Sequence, residues 1–250
     1  MLKGFVRAGL VLGGVAAIVG IASLSVSRQH GVQVAPAAAG DESVNIEGAF
    51  KVTGVGADGG EYTGSATLKK IGGQMFKGTW NLGKKFEGVC FRDGSVLSCG
   101  WSAKHDLGVM AYLVKDNGDL DGVWFEEGNT TIGKEYLVGG NGNLLGNYTI
   151  KTGEEPPKGG AKAKTYSGTV KVGFHNGVYT FDWNFGGGKK LSGLGLRDGD
   201  VVSVGFNDTG NYGVLQYDIK GGAGKKTTLV GRWVESGTSN KGPGAETMVK

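Results

Sequence analysis

The chain contains one segment twice. Residues 84–101 read KKFEGVCFRDGSVLSCGW and residues 189–206 read KKLSGLGLRDGDVVSVGF, so nine of eighteen positions are identical. In each segment an Asp-Gly pair, Asp93-Gly94 or Asp198-Gly199, separates two runs of alternating residues. Because Asp-Gly readily adopts the positive φ angles of a two-residue turn, each segment is predicted to form a β-hairpin with that pair at its tip. The chain therefore contains two copies of one β module.

The two copies remain collinear on both sides of this hairpin. The matched pairs include Trp80 with Trp183, Tyr112 with Tyr217, Trp124 with Trp233 and Glu135 with Glu246. The junction falls near residues 139–145, which predicts a first module at 40–142 and a second at 143–250. The differences in length between the copies fall in turns, where duplicated modules tolerate them.

Each module is predicted to contain eight short strands. In the first module they lie near 48–54, 62–70, 75–82, 85–92, 95–102, 107–115, 120–126 and 134–139. Short turns rich in Gly, Asp and Asn connect them, and apolar residues alternate with polar ones, which indicates an antiparallel meander with one buried face. Closure removes the unpaired edges of a meander. The predicted fold class is therefore all-β, with two tandem eight-stranded antiparallel up-and-down barrels; a pair of open sandwiches is the alternative.

The N-terminal residues are typical of an export segment. Lys3 and Arg7 precede an apolar run that extends from Ala8 to about Val26, and small residues follow near Ala39. Residues 1–39 are thus predicted to be a signal peptide that is cleaved after Ala39, or an uncleaved membrane anchor with a linker. Either outcome places the remaining chain outside the cytoplasm, in the periplasm, at the cell surface or secreted.

Cys90 and Cys99 are the only cysteines. Their position across one hairpin of an exported protein favours a disulfide, with two buried free thiols as the alternative. If Asp93-Gly94 forms the turn, Cys90 lies diagonal to Cys99, so the bridge would require a longer turn or a bulge. The matching positions Gly195 and Val204 indicate that the module folds without the bond.

No arrangement of residues indicates a reaction. The histidines His105 and His175 have no partners for a metal site or a catalytic triad, and the glycine spacing fits no nucleotide-binding loop. The formal charge of +4 is scattered, which argues against nucleic-acid binding. The sequence therefore predicts a non-enzymatic protein without a metal or cofactor. A glycosidase would need two carboxylates that face one cleft.

The strongest candidates for a binding site are aromatic residues that occur in both copies. They could line the mouth of a barrel and stack on a flat apolar ligand, since eight strands enclose space for side chains or for one small molecule. These residues are Trp80, Tyr112, Trp124, Trp183, Tyr217 and Trp233. The alternative is that they only fill the core.

One set of motifs resembles a family of small exported bacterial proteins that are often labelled fibronectin-binding proteins. It comprises Tyr62 and Gly64, Trp80, Gly88-x-Cys90-x-Arg92-x-Gly94, Gly108-Val109 with Tyr112, Gly118-x-Leu120-x-Gly122-x-Trp124, and Gly133-x-Glu135. The resemblance covers nearly all of the chain after residue 39, once per copy, and the expected architecture is similar to that of lipocalin and avidin barrels.

Two functions follow as expectations. The resemblance implies a macromolecular partner outside the cell, such as the extracellular-matrix protein fibronectin. The duplicated aromatic residues instead favour a carrier of a small apolar ligand in the barrel mouth.

Overall fold

A computed structural model describes residues 44–102, 107–156, 162–207 and 212–250. The predicted signal or anchor segment at 1–39 lies outside the described residues. The described chain is all-β, as predicted, and none of its helices is long and apolar enough to cross a membrane. Its strands are β1 (Gly48–Val55), β2 (Glu61–Gly72), β3 (Met75–Asn81), β4 (Lys85–Asp93), β5 (Val96–Ser102), β6 (Leu107–Val114), β7 (Leu120–Glu126), β8 (Gly133–Val138), β9 (Gly146–Glu154), β10 (Thr165–Tyr166), β11 (Gly168–His175), β12 (Val178–Phe185), β13 (Lys190–Asp198), β14 (Val201–Asn207), β15 (Tyr212–Gly222), β16 (Lys225–Glu235) and β17 (Gly244–Val249).

The strands form two closed eight-stranded antiparallel barrels. The first barrel has the order β1-β17-β16-β15-β5-β4-β3-β2. The second runs β9-β11-β12-β13-β14-β6-β7-β8 and closes through pairing of β8 with β9, while the short β10 pairs with β9. The eight strands predicted for the first copy are therefore all present.

The barrels do not coincide with the two sequence copies. The second barrel is one continuous meander from β6 to β14, inserted between β5 and β15 of the first. A boundary at 142/143, as expected from the sequence, cuts through the second barrel between β8 and β9. Each barrel thus takes its first five strand positions from one copy and its last three from the other.

The similarity of the two copies explains why the sequence does not reveal this exchange. A copy that closed on itself would pair β5 with β6 and β14 with β15, but the structure pairs β5 with β15 and β6 with β14. The two alternatives place matching residues opposite one another and satisfy the same backbone hydrogen bonds. The alternation of buried and exposed residues is unchanged by the exchange, so local sequence does not select between them.

The two barrels meet through equivalent residues. Ser98 and Ser203, which occupy the same position in the two copies, share a hydrogen bond of 2.6 Å, and Asn207 Nδ2 donates to Ser102 Oγ over 3.3 Å. Contacts between equivalent positions are those expected at a two-fold axis. A Cβ on Gly100 would lie 2.5 Å from the Gly108 carbonyl oxygen, so the backbones approach closely here. The pair of barrels is arranged like a symmetric dimer within one chain.

The hairpin turns are one residue later than predicted. Asp93 pairs with Val96, so the turn consists of Gly94 and Ser95, with Gly94 at a φ of 56°. In the second copy Asp198 pairs with Val201. This register places Cys90 directly opposite Cys99, and the two form the predicted disulfide in the core of the first barrel without a bulge.

Candidate functional site

The first barrel contains a partly open cavity of about 240 Å³. Successive inward residues of β15 show how it is placed: Leu215 lines the cavity, whereas Tyr217 and Ile219 continue into the filled core. The barrel is therefore packed at one end and hollow at the other. The lining residues are Tyr62, Trp80, Leu82, Phe86, Trp101, Leu215, Trp233, Glu235 and Glu246.

A buried carboxylate lies at the base of this cavity. Glu246 on β17 shares the inward face with Gly244 and Met248 and is 3% exposed. The Tyr62 hydroxyl donates to Glu246 Oε2 over 2.8 Å, and the Tyr217 hydroxyl donates to Oε1. Strand β17 lies between β1 and β16, so closure of the barrel brings Glu246 to Tyr62 on β2, whereas Tyr217 on β15 reaches Glu246 across β16.

The second barrel has a related, larger cavity of about 340 Å³. Aromatic and apolar side chains again form most of the wall, and the rim is more polar. The lining residues are Met110, Trp124, Glu126, Glu135, Glu155, Tyr166, Ser167, Trp183, Phe185, Gly186, Lys189, Leu191 and Phe206.

Glu135 repeats the arrangement of Glu246. It is 2% exposed on β8, in phase with the inward residues Gly133 and Leu137. The Tyr112 hydroxyl donates to Glu135 Oε1, and Trp183 Nε1 donates to the same oxygen over 3.1 Å. Glu135 Oε2 has no hydrogen-bond partner among the described residues. In both barrels the hydrogen-bond donors to this carboxyl group, among the described residues, are tyrosine and tryptophan side chains.

Each cavity combines the two sequence copies. The pairs of equivalent residues are Tyr62 and Tyr166, Trp80 and Trp183, Trp233 and Trp124, Tyr217 and Tyr112, and Glu246 and Glu135. In the first barrel Trp80 comes from the first copy and Glu246 from the second, and the second barrel has the reverse arrangement. A grouping of the predicted residues by copy would therefore assign them to the wrong cavities.

The six predicted residues divide by role. Four tryptophans, Trp80, Trp124, Trp183 and Trp233, line the two cavities. Tyr112 and Tyr217 lie behind the glutamates, and their rings are fully buried in the core. Sequence reasoning missed the two glutamates, Tyr62, Tyr166 and Trp101. The alternation contained a sign of the glutamates, because Gly133-x-Glu135-x-Leu137 and Gly244-x-Glu246-x-Met248 place them on the buried face.

Burial raises the pKa values of the two glutamates and of the tyrosines that donate to them. It raises the pKa of Glu246, and the hydrogen bonds from Tyr217 and Tyr62 partly oppose this rise. Burial likewise raises the pKa of Glu135, opposed by Tyr112 and Trp183. The pKa of each tyrosine donor is also raised, by burial first and then by the neighbouring carboxylate, so these hydroxyls stay protonated donors.

Glycines make room for the aromatic rings of the cavities. A Cβ on Gly133 would lie 2.2 Å from Trp124 Cε2, and a Cβ on Gly244 would lie 2.7 Å from Trp233 Cε2. Real Cβ contacts are not this short, so a larger residue at either position would displace the indole. Glycine beside each tryptophan therefore belongs to the construction of the site.

Two carboxylates, Glu235 and Glu246, line the first cavity, and a pair of carboxylates that face one cleft is what glycoside hydrolysis requires. Glu246 is buried and both of its oxygens accept tyrosine hydroxyls, whereas Glu235 is only partly buried. No group of three or more metal-ligating side chains occurs within the described ranges.

The chain was compared with protein-family models, with curated proteins and with solved structures, and none of them matches it.

Proposed function

We propose that the protein is a non-enzymatic carrier with one small-molecule site in each barrel. The observation that supports this proposal is the pair of partly open, aromatic-lined cavities built from equivalent residues of both copies. Ligand pockets are typically concave and mostly apolar, with a few polar groups that fix orientation. Each cavity has this composition, with tryptophans on the wall and one carboxyl group at the base.

The volumes restrict the ligand to a small molecule. The cavity volumes are about 240 and 340 Å³. Both are close to about 300 Å³, the volume of the smallest typical ligand pockets. Each cavity therefore suits one ring system with a short polar substituent. The bound ring would contact Trp233 in the first barrel or Trp124 in the second, and offset or edge-on ring contacts add to the energy of burial.

Tryptophan fluorescence gives a direct test, because all five tryptophans line the two cavities. We expect 2-phenylethylamine, 2-phenylethanol, phenylacetate or 2-naphthol to cause saturable quenching, with two sites per chain by calorimetry. If none of the four probes binds, the proposed carrier function is wrong.

Matched variants assign the sites. Leu215→Trp fills the first cavity and Met110→Trp fills the second, since these two residues occupy equivalent positions on the walls. Each variant should bind one probe molecule instead of two, and circular dichroism should show an intact β-fold. Two sites retained in both variants would place binding elsewhere.

A macromolecular partner such as fibronectin remains a prediction from the sequence resemblance. Saturable binding of the full chain to immobilised fibronectin tests it, with an unrelated matrix protein as the control. Absence of saturable binding removes this partner and leaves the carrier proposal unaffected.

A further inference from the structure

Among the described residues, the wall of the first cavity carries acidic side chains and no basic ones. Glu235 and Glu246 face the cavity, and no described Lys, Arg or His lines it. The described lining of the second cavity includes three acidic side chains, Glu126, Glu135 and Glu155, and one basic side chain, Lys189. The whole chain carries a formal charge of +4, so the acidity of the cavities is local and opposes the net charge of the protein.

No cationic side chain in the described part of the chain neutralises the buried carboxyl groups. Neither Glu246 nor Glu135 forms a salt bridge with a described residue, and their hydrogen-bond donors are neutral tyrosine and tryptophan groups. Ionisation of a carboxyl group in an apolar site without a counter-charge is costly. A ligand that brings a positive charge would remove that cost.

The aromatic walls suit the same kind of ligand. In the first cavity Tyr62 meets Trp233 edge-on at 6.2 Å between ring centroids, and Phe86 meets Trp101 at 5.1 Å. In the second cavity Trp124 meets Tyr166 at 6.4 Å. Aromatic faces attract organic ammonium groups, and enclosure by several rings is a recurrent way to bind them. An inorganic cation would instead require a shell of oxygen ligands.

From these features we infer that both cavities bind small organic cations, each an ammonium group on an apolar body. The ammonium group lies at the base against Glu246 or Glu135, and the apolar body lies along the tryptophans towards the mouth. Glu135 Oε2 is free to accept a hydrogen bond from such a group, as far as the described residues show. In the first cavity each oxygen of Glu246 keeps a lone pair after accepting its tyrosine.

This inference rests on the proposed carrier function and is tested by three probes of one skeleton. 2-Phenylethylamine is a cation at neutral pH, 2-phenylethanol is neutral and phenylacetate is an anion. Calorimetry with the full chain should show the amine binding at least about tenfold more tightly than the alcohol. Phenylacetate should bind most weakly.

Two isosteric variants test whether the buried glutamates cause the preference for the amine over the alcohol. Glu246→Gln should abolish the difference between amine and alcohol in the first cavity and leave it in the second, while Glu135→Gln should do the reverse. The untouched cavity is the internal control, and either variant suffices if the other does not fold. Glu235→Gln, at the partly exposed rim, should reduce the preference without abolishing it.

The outcomes separate the two proposals. If the alcohol binds as tightly as the amine, or if the preference survives both Gln variants, the cation inference is wrong and the carrier function stands. If phenylacetate binds best, the cavities select anions and the inference is also wrong. If neither these probes nor 2-naphthol binds, the carrier function fails, and the inference fails with it.

Discussion

Removal of the Tyr217 hydroxyl tests whether the buried carboxyl network stabilises the first barrel. Tyr217 is 0% exposed, and its hydroxyl donates to Glu246 Oε1. Tyr217→Phe keeps the ring and deletes one of the two tyrosine hydroxyls that hold this carboxyl group. A hydrogen bond to a charged group contributes about 1.5–3 kcal/mol, so we expect the free energy of unfolding to fall by about that amount. The unfolding equilibrium constant should rise about ten- to hundredfold.

Three other tyrosine variants allow the stability loss of Tyr217→Phe to be compared with that of equivalent, less buried and surface hydroxyls. Tyr112→Phe makes the same change at Glu135 in the second barrel and should have a similar cost. Tyr62→Phe should cost less, because Tyr62 is only partly buried. Tyr136→Phe is the control, since its hydroxyl also donates to a carboxylate, Asp119, over 2.8 Å, but at the solvated surface. We expect no resolvable effect of this change.

Urea unfolding followed by tryptophan fluorescence and circular dichroism measures these differences. The cost of Tyr217→Phe should shrink at acidic pH, where a protonated Glu246 accepts a weaker, neutral hydrogen bond. Two results would refute the reasoning. One is a Tyr217→Phe variant as stable as the wild type, and the other is a Tyr136→Phe variant that loses as much stability as Tyr217→Phe.

Three further predictions concern the charge, the topology and the disulfide. Burial raises the pKa of Glu246 above its ordinary 4.5, so its contribution to stability is present below about pH 4.5 and is lost as pH rises through the raised pKa. The stability of Glu246→Gln relative to wild type should therefore increase from acidic to neutral pH, and a difference independent of pH in urea titrations would contradict this. A fragment of residues 103–211 should fold as a closed barrel, because its terminal strands β6 and β14 pair with each other. Circular dichroism measures its β content, and an unfolded fragment would mean that the second barrel depends on the first. Replacement of Cys90 and Cys99 by Ser should lower the free energy of unfolding by about 2–3 kcal/mol, the value for so short a loop. Hydrogen exchange should show the loss in the first barrel alone, since a loss shared by both barrels would mean that they unfold as one unit.

The strands and their buried faces were predictable because they depend on local pattern. The turn prediction was wrong by one residue, yet the inward residues were correct. The observed register pairs Cys90 with Cys99 rather than with Leu97, which is a shift of two positions along the partner strand. Side chains alternate with a period of two, so a shift of two leaves every residue on its face.

The glutamates were missed for a different reason. Charged residues are rarely buried unless they have a partner, so the alternation alone did not identify Glu135 and Glu246 as residues of a buried site. Their partners, the hydroxyls of Tyr112 and Tyr217, lie 23 and 29 residues away in sequence. Each tyrosine and its glutamate lie on either side of the middle strand of a three-strand meander, opposite Gly122 or Gly231. Their contact therefore depends on the register of two successive strand pairs, which the local alternation of buried and exposed residues does not specify.

Strand exchange also determines how the two cavities are composed. Neither sequence copy carries a complete site in one barrel, because the tryptophan at the base, Trp80 or Trp183, and the glutamate, Glu246 or Glu135, always come from different copies. Substitutions in one copy therefore alter both cavities, each at a different part of its wall. The cavities already differ in this way, since Leu82, Phe86 and Trp101 of the first correspond to Phe185, Leu191 and Phe206 of the second. If the proposed carrier function is correct, duplication supplies two sites that keep the same buried carboxyl group and should select for different apolar bodies. Any difference in ligand preference between the barrels should therefore depend on these differing apolar wall residues rather than on the glutamates.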